Sequence, residues 1–216
     1  MSRYLFPRWT NQVVTILAVG TGVVGMLVIA LVWYYGTDKY LAVGYQPVQP
    51  VPFSHKLHAG DLAMDCRYCH NTVERSSFAA IPPTQTCMNC HSKIKTDSTQ
   101  LLPLFEAHAA GKPVEWVKVH KVADYAYFNH SAHVTQGVGC STCHGRIDQM
   151  PRVTQHSSLT MAWCLDCHRD PKAIIRPASE ITNMDWKPPV EVAQGPAITA
   201  TGREAHPPVH CSGCHR

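Results

Sequence analysis

All ten cysteines of this chain fall in five copies of Cys-x-x-Cys-His. They are Cys66 and Cys69 with His70, Cys87 and Cys90 with His91, Cys140 and Cys143 with His144, Cys164 and Cys167 with His168, and Cys211 and Cys214 with His215. Two thiols at this spacing can each form a thioether to a vinyl group of one porphyrin, and the adjacent imidazole can take one face of its iron. Paired thiols also build zinc ribbons, but zinc does not require His directly after the second Cys. With 14 His among 216 residues, five such slots would all be filled by chance about once in a million. A disulfide framework fits no better, because bonds across five tight pairs would staple nothing at a distance. The pattern points to five covalently attached haems c and to electron transfer, with no protein acid, base or nucleophile required.

Five macrocycles need a frame, and the sequence duplicates one. Phe53-Ser54-His55-Lys56-Leu57-His58 precedes the first motif, and Phe128-Asn129-His130-Ser131-Ala132-His133 precedes the third. The His pairs are offset by 75 residues, the first and third motifs by 74, and the second and fourth by 77. Each repeat is F-x-H-x-x-H followed by two motifs, and the repeats cover about 53–99 and 128–175. The fifth motif lies outside them, in a C-terminal segment, 176–216, that contains the stretch from Pro177 to Pro208. With five Phe in the whole chain and few periodic apolar runs, the peptide lacks an ordinary core. The expected fold is therefore mainly α and coil, a multihaem cytochrome c domain with the haems as its core.

Each iron has a second face. Nine His remain outside the motifs, enough for an all bis-imidazole protein. Two His at i and i+3 sit on one helical turn yet can aim at different irons, so the F-x-H-x-x-H pairs are the leading candidates. His55 is assigned to the first haem and His58 to another. By the repeat, His130 serves the third and His133 a neighbour, and His120 completes the set. His108, His156, His206 and His210 rank below these. Methionine competes, because thioether ligation raises a haem's potential. Met150, six residues after His144, and Met161, three before Cys164, are the candidates.

The motifs must also reach the compartment where haem c is attached. From Val13 to Tyr35 the chain has no charged residue, and 23 residues at 1.5 Å each span about 34 Å, enough to cross a bilayer core. Arg3 and Arg8 precede this run, and Trp33, Tyr34 and Tyr35 close it. Residues 1–12 are then expected in the cytoplasm and 13–35 as a single transmembrane helix of the bacterial cytoplasmic membrane. Residues 36–52 read as a Pro-rich linker, and 53–216 as a periplasmic pentahaem domain. A cleaved signal peptide is the rival, but the run is longer than a signal core and no small-x-small site follows. Both readings export the motifs. The formal charge of +4 is no nucleic-acid signal: Lys and Arg form no block, and the propionates of five haems would turn the total negative.

The segments PFSHKLHAGDLAMDCRYCHNTVE, IPPTQTCMNCH, WVKVHKVADYAYFNHSAHV, GVGCSTCHGRIDQM and LTMAWCLDCHRDP resemble the pentahaem cytochrome c subunit of alternative complex III, a bacterial quinol:electron-acceptor oxidoreductase. The resemblance implies an electron-transfer subunit, with no substrate chemistry of its own, beside integral-membrane and iron–sulfur subunits. Its acceptor would be a monohaem cytochrome c, a blue copper protein or an oxidase. It also implies mixed bis-His and His/Met ligation, which favours Met150. The alternative is a stand-alone membrane quinol dehydrogenase of the NapC/NrfH type, yet that family's smaller members carry four haems. A reductase of nitrite, hydroxylamine or a sulfur oxyanion would need an irregular motif with an open iron face, and all five motifs here are regular.

Overall fold

The computed structural model describes residues 7, 9–36, 42–189 and 195–215, in two compact units, Met1–Ala42 and Val43–Arg216. In the first, a single helix, α1 (Thr10–Gly36), runs for 27 residues with a mean hydropathy of 2.5. At 1.5 Å per residue it is about 40 Å long, which is long enough to span a membrane. It outruns the expected 13–35 because Thr10, Asn11, Gln12 and Gly36 are uncharged and the helix carries through them. Trp33, Tyr34 and Tyr35 lie exposed on its last turn. Arg3 and Arg8 lie outside the described residues.

The second unit is coil punctuated by short helices, with no strand among the described residues. Its helices are α2 (Cys66–Cys69), α3 (Thr84–His91), α4 (Leu102–Ala109), α5 (His130–Thr135), α6 (Cys140–His144), α7 (Met161–Arg169) and α8 (Cys211–Cys214). A π-helical turn covers Lys56–Asp61, and 3-10 turns cover Thr99–Leu101, Ile147–Gln149 and Ala178–Glu180. Five of the seven α-helices contain the motifs. Side chains cap three starts: Asp65 accepts from Arg67 N, Asn129 from Ala132 N, and Thr160 from Trp163 N.

Apolar burial is sparse, as the composition predicts. Among the described residues the buried hydrophobics are Val51, Leu104, Val114, Ile175, Ile181 and Ala197. Val51, Leu104 and Val114 form one cluster with Met88 and Trp116 beside the second motif. The Pro-rich stretch expected as a linker is sewn onto this unit from Gly44 onward. Gly44 N donates to Gln155 O, Gln155 N donates to Tyr45 O, and Gln49 exchanges two hydrogen bonds with the backbone of Val117. Val51 is buried to 4% exposure. Glutamine amides and backbone groups carry these ties, and a reading of proline content alone does not register them.

Candidate haem sites

Within each motif helix the two thiols stand one turn apart on the same side, with the imidazole at the next residue. The orientation of those imidazoles is set by the backbone. Nδ1 of His70 donates to Ala80 O at 2.8 Å, His91 to Ile94 O at 3.1 Å, His168 to Pro208 O at 2.7 Å and His215 to Tyr125 O at 3.0 Å. A carbonyl can only accept, so the proton sits on Nδ1 and the Nε2 lone pair is left for a metal. Three candidate distal residues have the same tautomer: His58 donates to Ser54 O, His130 to Ser77 O and His133 to Asn129 O.

The duplicated frame repeats in three dimensions. Phe53 meets His55 edge-on at 4.9 Å and stacks on His58 at 4.4 Å. Phe128 meets His130 edge-on at 4.7 Å and stacks on His133 at 4.6 Å. Across from these, His58 faces His91 with centroids 6.3 Å apart, and His133 faces His168 at 6.1 Å. A metal–imidazole bond of about 2.0 Å and a ring radius of about 1.1 Å place two trans imidazoles about 6.2 Å apart. Both pairs match that separation.

His55, His70, His120, His130 and His144 gather in one half-buried cluster. Burial, then the neighbouring His70, His58 and His120, pushes His55 down to about 4. Burial, then His120, His130, His70 and His55, pushes His144 down to about 3. Burial also lowers His120 and His133. Neutral imidazole is the form that binds a metal. His120 and His144 touch at 4.4 Å, closer than two ligands on opposite faces of one metal. His55 Nδ1, His120 Nε2 and His144 Nδ1 are buried without a hydrogen-bond partner, so each retains a donor or a lone pair.

The remaining candidates are spread out. Met150, half-buried, accepts from Lys56 N through its carbonyl, next to His55. Met161 opens α7 at 64% exposure. His156 rests against Gly145, where φ is +63° and a Cβ would meet its ring. His206 lies 3.9 Å from Glu204, His210 caps α8, and His108 is on α4. The ring beside His215 is Tyr125, at 5.7 Å.

The thiols lie close to one another. Those of Cys66 and Cys140 lie close enough to perturb each other, which lowers the first and raises the second. Burial, then Cys167 and Cys164, pushes Cys143 up to about 12. Exposed apolar side chains flank the motifs, Phe78 at 75% and Ile81 at 56% among them. Paired thiols, imidazoles oriented through Nδ1, buried unpartnered ring nitrogens and apolar flanks together suit a covalently held porphyrin.

Residues 51–110 and 126–216 match the family described as cytochrome c7 and related cytochrome c. The chain belongs to this family. It is a multihaem cytochrome c, with covalently bound c-type haems and a role in electron transport. A relative in Nitratidesulfovibrio vulgaris (Hildenborough) is named "Menaquinone reductase, multiheme cytochrome c subunit". It is 36% identical over 119 residues, 55% of this chain and 55% of its own length. The match thus spans about half the length of that relative.

Two features escaped sequence reasoning. The carbonyls that orient the imidazoles belong to Ala80, Ile94, Tyr125 and Pro208, and any residue type could supply them. Arg176 lies in no motif, yet it braces the third one. It is 5% exposed; its guanidinium donates to Ser141 Oγ, Thr142 Oγ1 and Asn183 O. It also stacks over Trp186 at 4.5 Å.

Proposed function

We propose that this chain carries five haems c on the positive side of a membrane and relays electrons from quinol oxidation, as the pentahaem subunit of a complex of the alternative complex III type. The two imidazole pairs, with ring centroids 6.3 and 6.1 Å apart, support this reading, because that separation leaves room for one metal ion between the rings. When bound, the haems supply reversible one-electron chemistry. The ten motif cysteines would hold them by thioethers. His70, His91, His144, His168 and His215 would bind the irons on one face.

On the other face, His58 is the residue for the second motif and His133 for the fourth. His55, His120 and His130 are shared between the first and third motifs. Met150 or Met161 remains the candidate for a site of raised potential. The apolar helix α1 would anchor the chain, with residues 1–12 cytoplasmic and 53–216 periplasmic. The partners in this reading are integral-membrane and iron–sulfur subunits, with a monohaem cytochrome c, a blue copper protein or an oxidase as acceptor.

The relative's name favours a second reading, in which the same carrier feeds electrons toward menaquinone. Purification from native membranes in mild detergent, with mass spectrometry of the co-purifying proteins, tests the assembly. Polytopic subunits together with an iron–sulfur protein are the expected companions; recovery alone would sink the assembly and promote the stand-alone quinol dehydrogenase. Addition of quinol to the purified complex tests direction. Haem reduction without another donor is expected, and its failure would favour the menaquinone-reducing reading.

A further inference from the structure

We propose that the five attachment motifs lie in the spatial order second, first, third, fourth, fifth. The electron path through this chain then ends at the second and fifth motifs and has the third at its middle. The proposal rests on the reading that every motif carries a haem.

Four sets of contacts build the order. Between the second and first motifs, Asn89 Nδ2 donates to Tyr68 Oη at 3.2 Å, each being the residue before its motif's second Cys. The thiols of Cys87 and Cys69 are also within electrostatic reach of each other. Between the first and third, the thiols of Cys66 and Cys140 lie close enough to perturb each other. One short stretch clasps both: Cys140 N donates to Ile181 O at 3.1 Å, while Thr182 Oγ1 donates at 3.0 Å to Asp65, the cap of α2.

Between the third and fourth, the Cys143 thiol lies within electrostatic reach of Cys167 and Cys164. Helix α5, which leads into the third motif, presents His133 to His168. Between the fourth and fifth, His168 Nδ1 donates to Pro208 O, three residues before Cys211, and Cys164 and Cys214 are within electrostatic reach.

Exposure gives an independent check. Cys90 and Cys211 are the exposed cysteines, one in each end motif, and the other eight are half-buried. Gly139 and Gly145, which bracket the third motif, are buried. Chain order would instead make the second and third motifs neighbours. Because tunnelling falls off exponentially with distance, an electron starting at the second motif passes the first before it reaches the third.

Cryo-electron microscopy of the full-length holoprotein in its native complex, with intact mass for the haem count, tests the order. The expected result is that the four shortest iron–iron separations are second–first, first–third, third–fourth and fourth–fifth, and the longest is second–fifth. Five haems with the second iron closer to the third than to the first would overturn the order alone. Fewer than five haems by mass would overturn the five-haem reading beneath it.

Discussion

The two repeats reach the same ring geometry by different backbones. In the first, the His pair lies at the start of a π-helical turn, Lys56–Asp61, where Ser54 Oγ accepts from Leu57 N. In the second, the pair lies on the α-helix His130–Thr135, where Asn129 accepts from Ala132 N. The Phe–His stacks nevertheless agree, at 4.4 and 4.6 Å, as do the facing imidazole pairs, at 6.3 and 6.1 Å. What the duplication preserves is therefore the placement of the imidazoles, not the winding of the turn that carries them. The repeats also brace their leading motifs differently. The first uses an exposed network of Asp65, Arg67 and Glu74, and the second uses buried Arg176 under Gly139, where a Cβ would collide with the guanidinium.

The largest expected effect tests the equivalence of the ring pairs. His58→Ala and His133→Ala should each turn one low-spin ferric haem into a high-spin, ligand-binding one, by equal fractions of the EPR and near-infrared signal. An unchanged low-spin spectrum in either variant would break the parallel.

Bracing should separate the repeats next. Arg176→Ala removes a buried cation and leaves the hydroxyls of Ser141 and Thr142 without their donor, at a cost of about 2–4 kcal/mol in denaturant unfolding. Arg67→Ala, on the exposed network, should cost less than about 1 kcal/mol. Equal losses would erase the contrast.

Capping is a finer comparison. Asn129→Ala should lose about 1 kcal/mol, and a matching loss from Ser54→Ala would show that the π-helical and α-helical turns are held alike. The smallest effect is on pH. The Arg67 hydrogen bond holds Asp65 down at about 2, from 3.8. A depressed carboxylate stabilises the fold above its unfolded pKa and loses that stabilisation as pH falls through its folded one. Stability against thermal unfolding should therefore fall between about pH 4 and pH 2, by under about 1 kcal/mol, given the exposure of this pair. Asp65→Asn should remove that part of the slope.

The covalent chemistry was legible in the sequence because cysteine spacing is itself the signal. The equivalence of His58 and His133 was legible in the repeat, whereas their closeness to His91 and His168 comes from the fold alone. His120 is marked in the sequence only by its place shortly before the second His pair, and the structure puts it against His144 at 4.4 Å, a contact made by chain folding over 24 residues with no periodic mark. The π-helical winding was invisible, because Lys56–Asp61 carries no sequence signature that distinguishes it from an α-turn. In the segment read as a linker, prolines describe stiffness, whereas Gln46 and Gln49 decide where the strip is fastened.

The motif imidazoles of His70, His91, His168 and His215 take their orientation from main-chain oxygens. Side chains at 80, 94 and 208 can therefore drift over evolutionary time without disturbing those rings, provided the local path of the chain survives, whereas Tyr125 also packs its ring beside His215. Insertions or deletions beside those positions would displace the acceptors themselves. Selection on this protein is thus expected to tolerate changes of residue type in these loops and to resist changes of loop length.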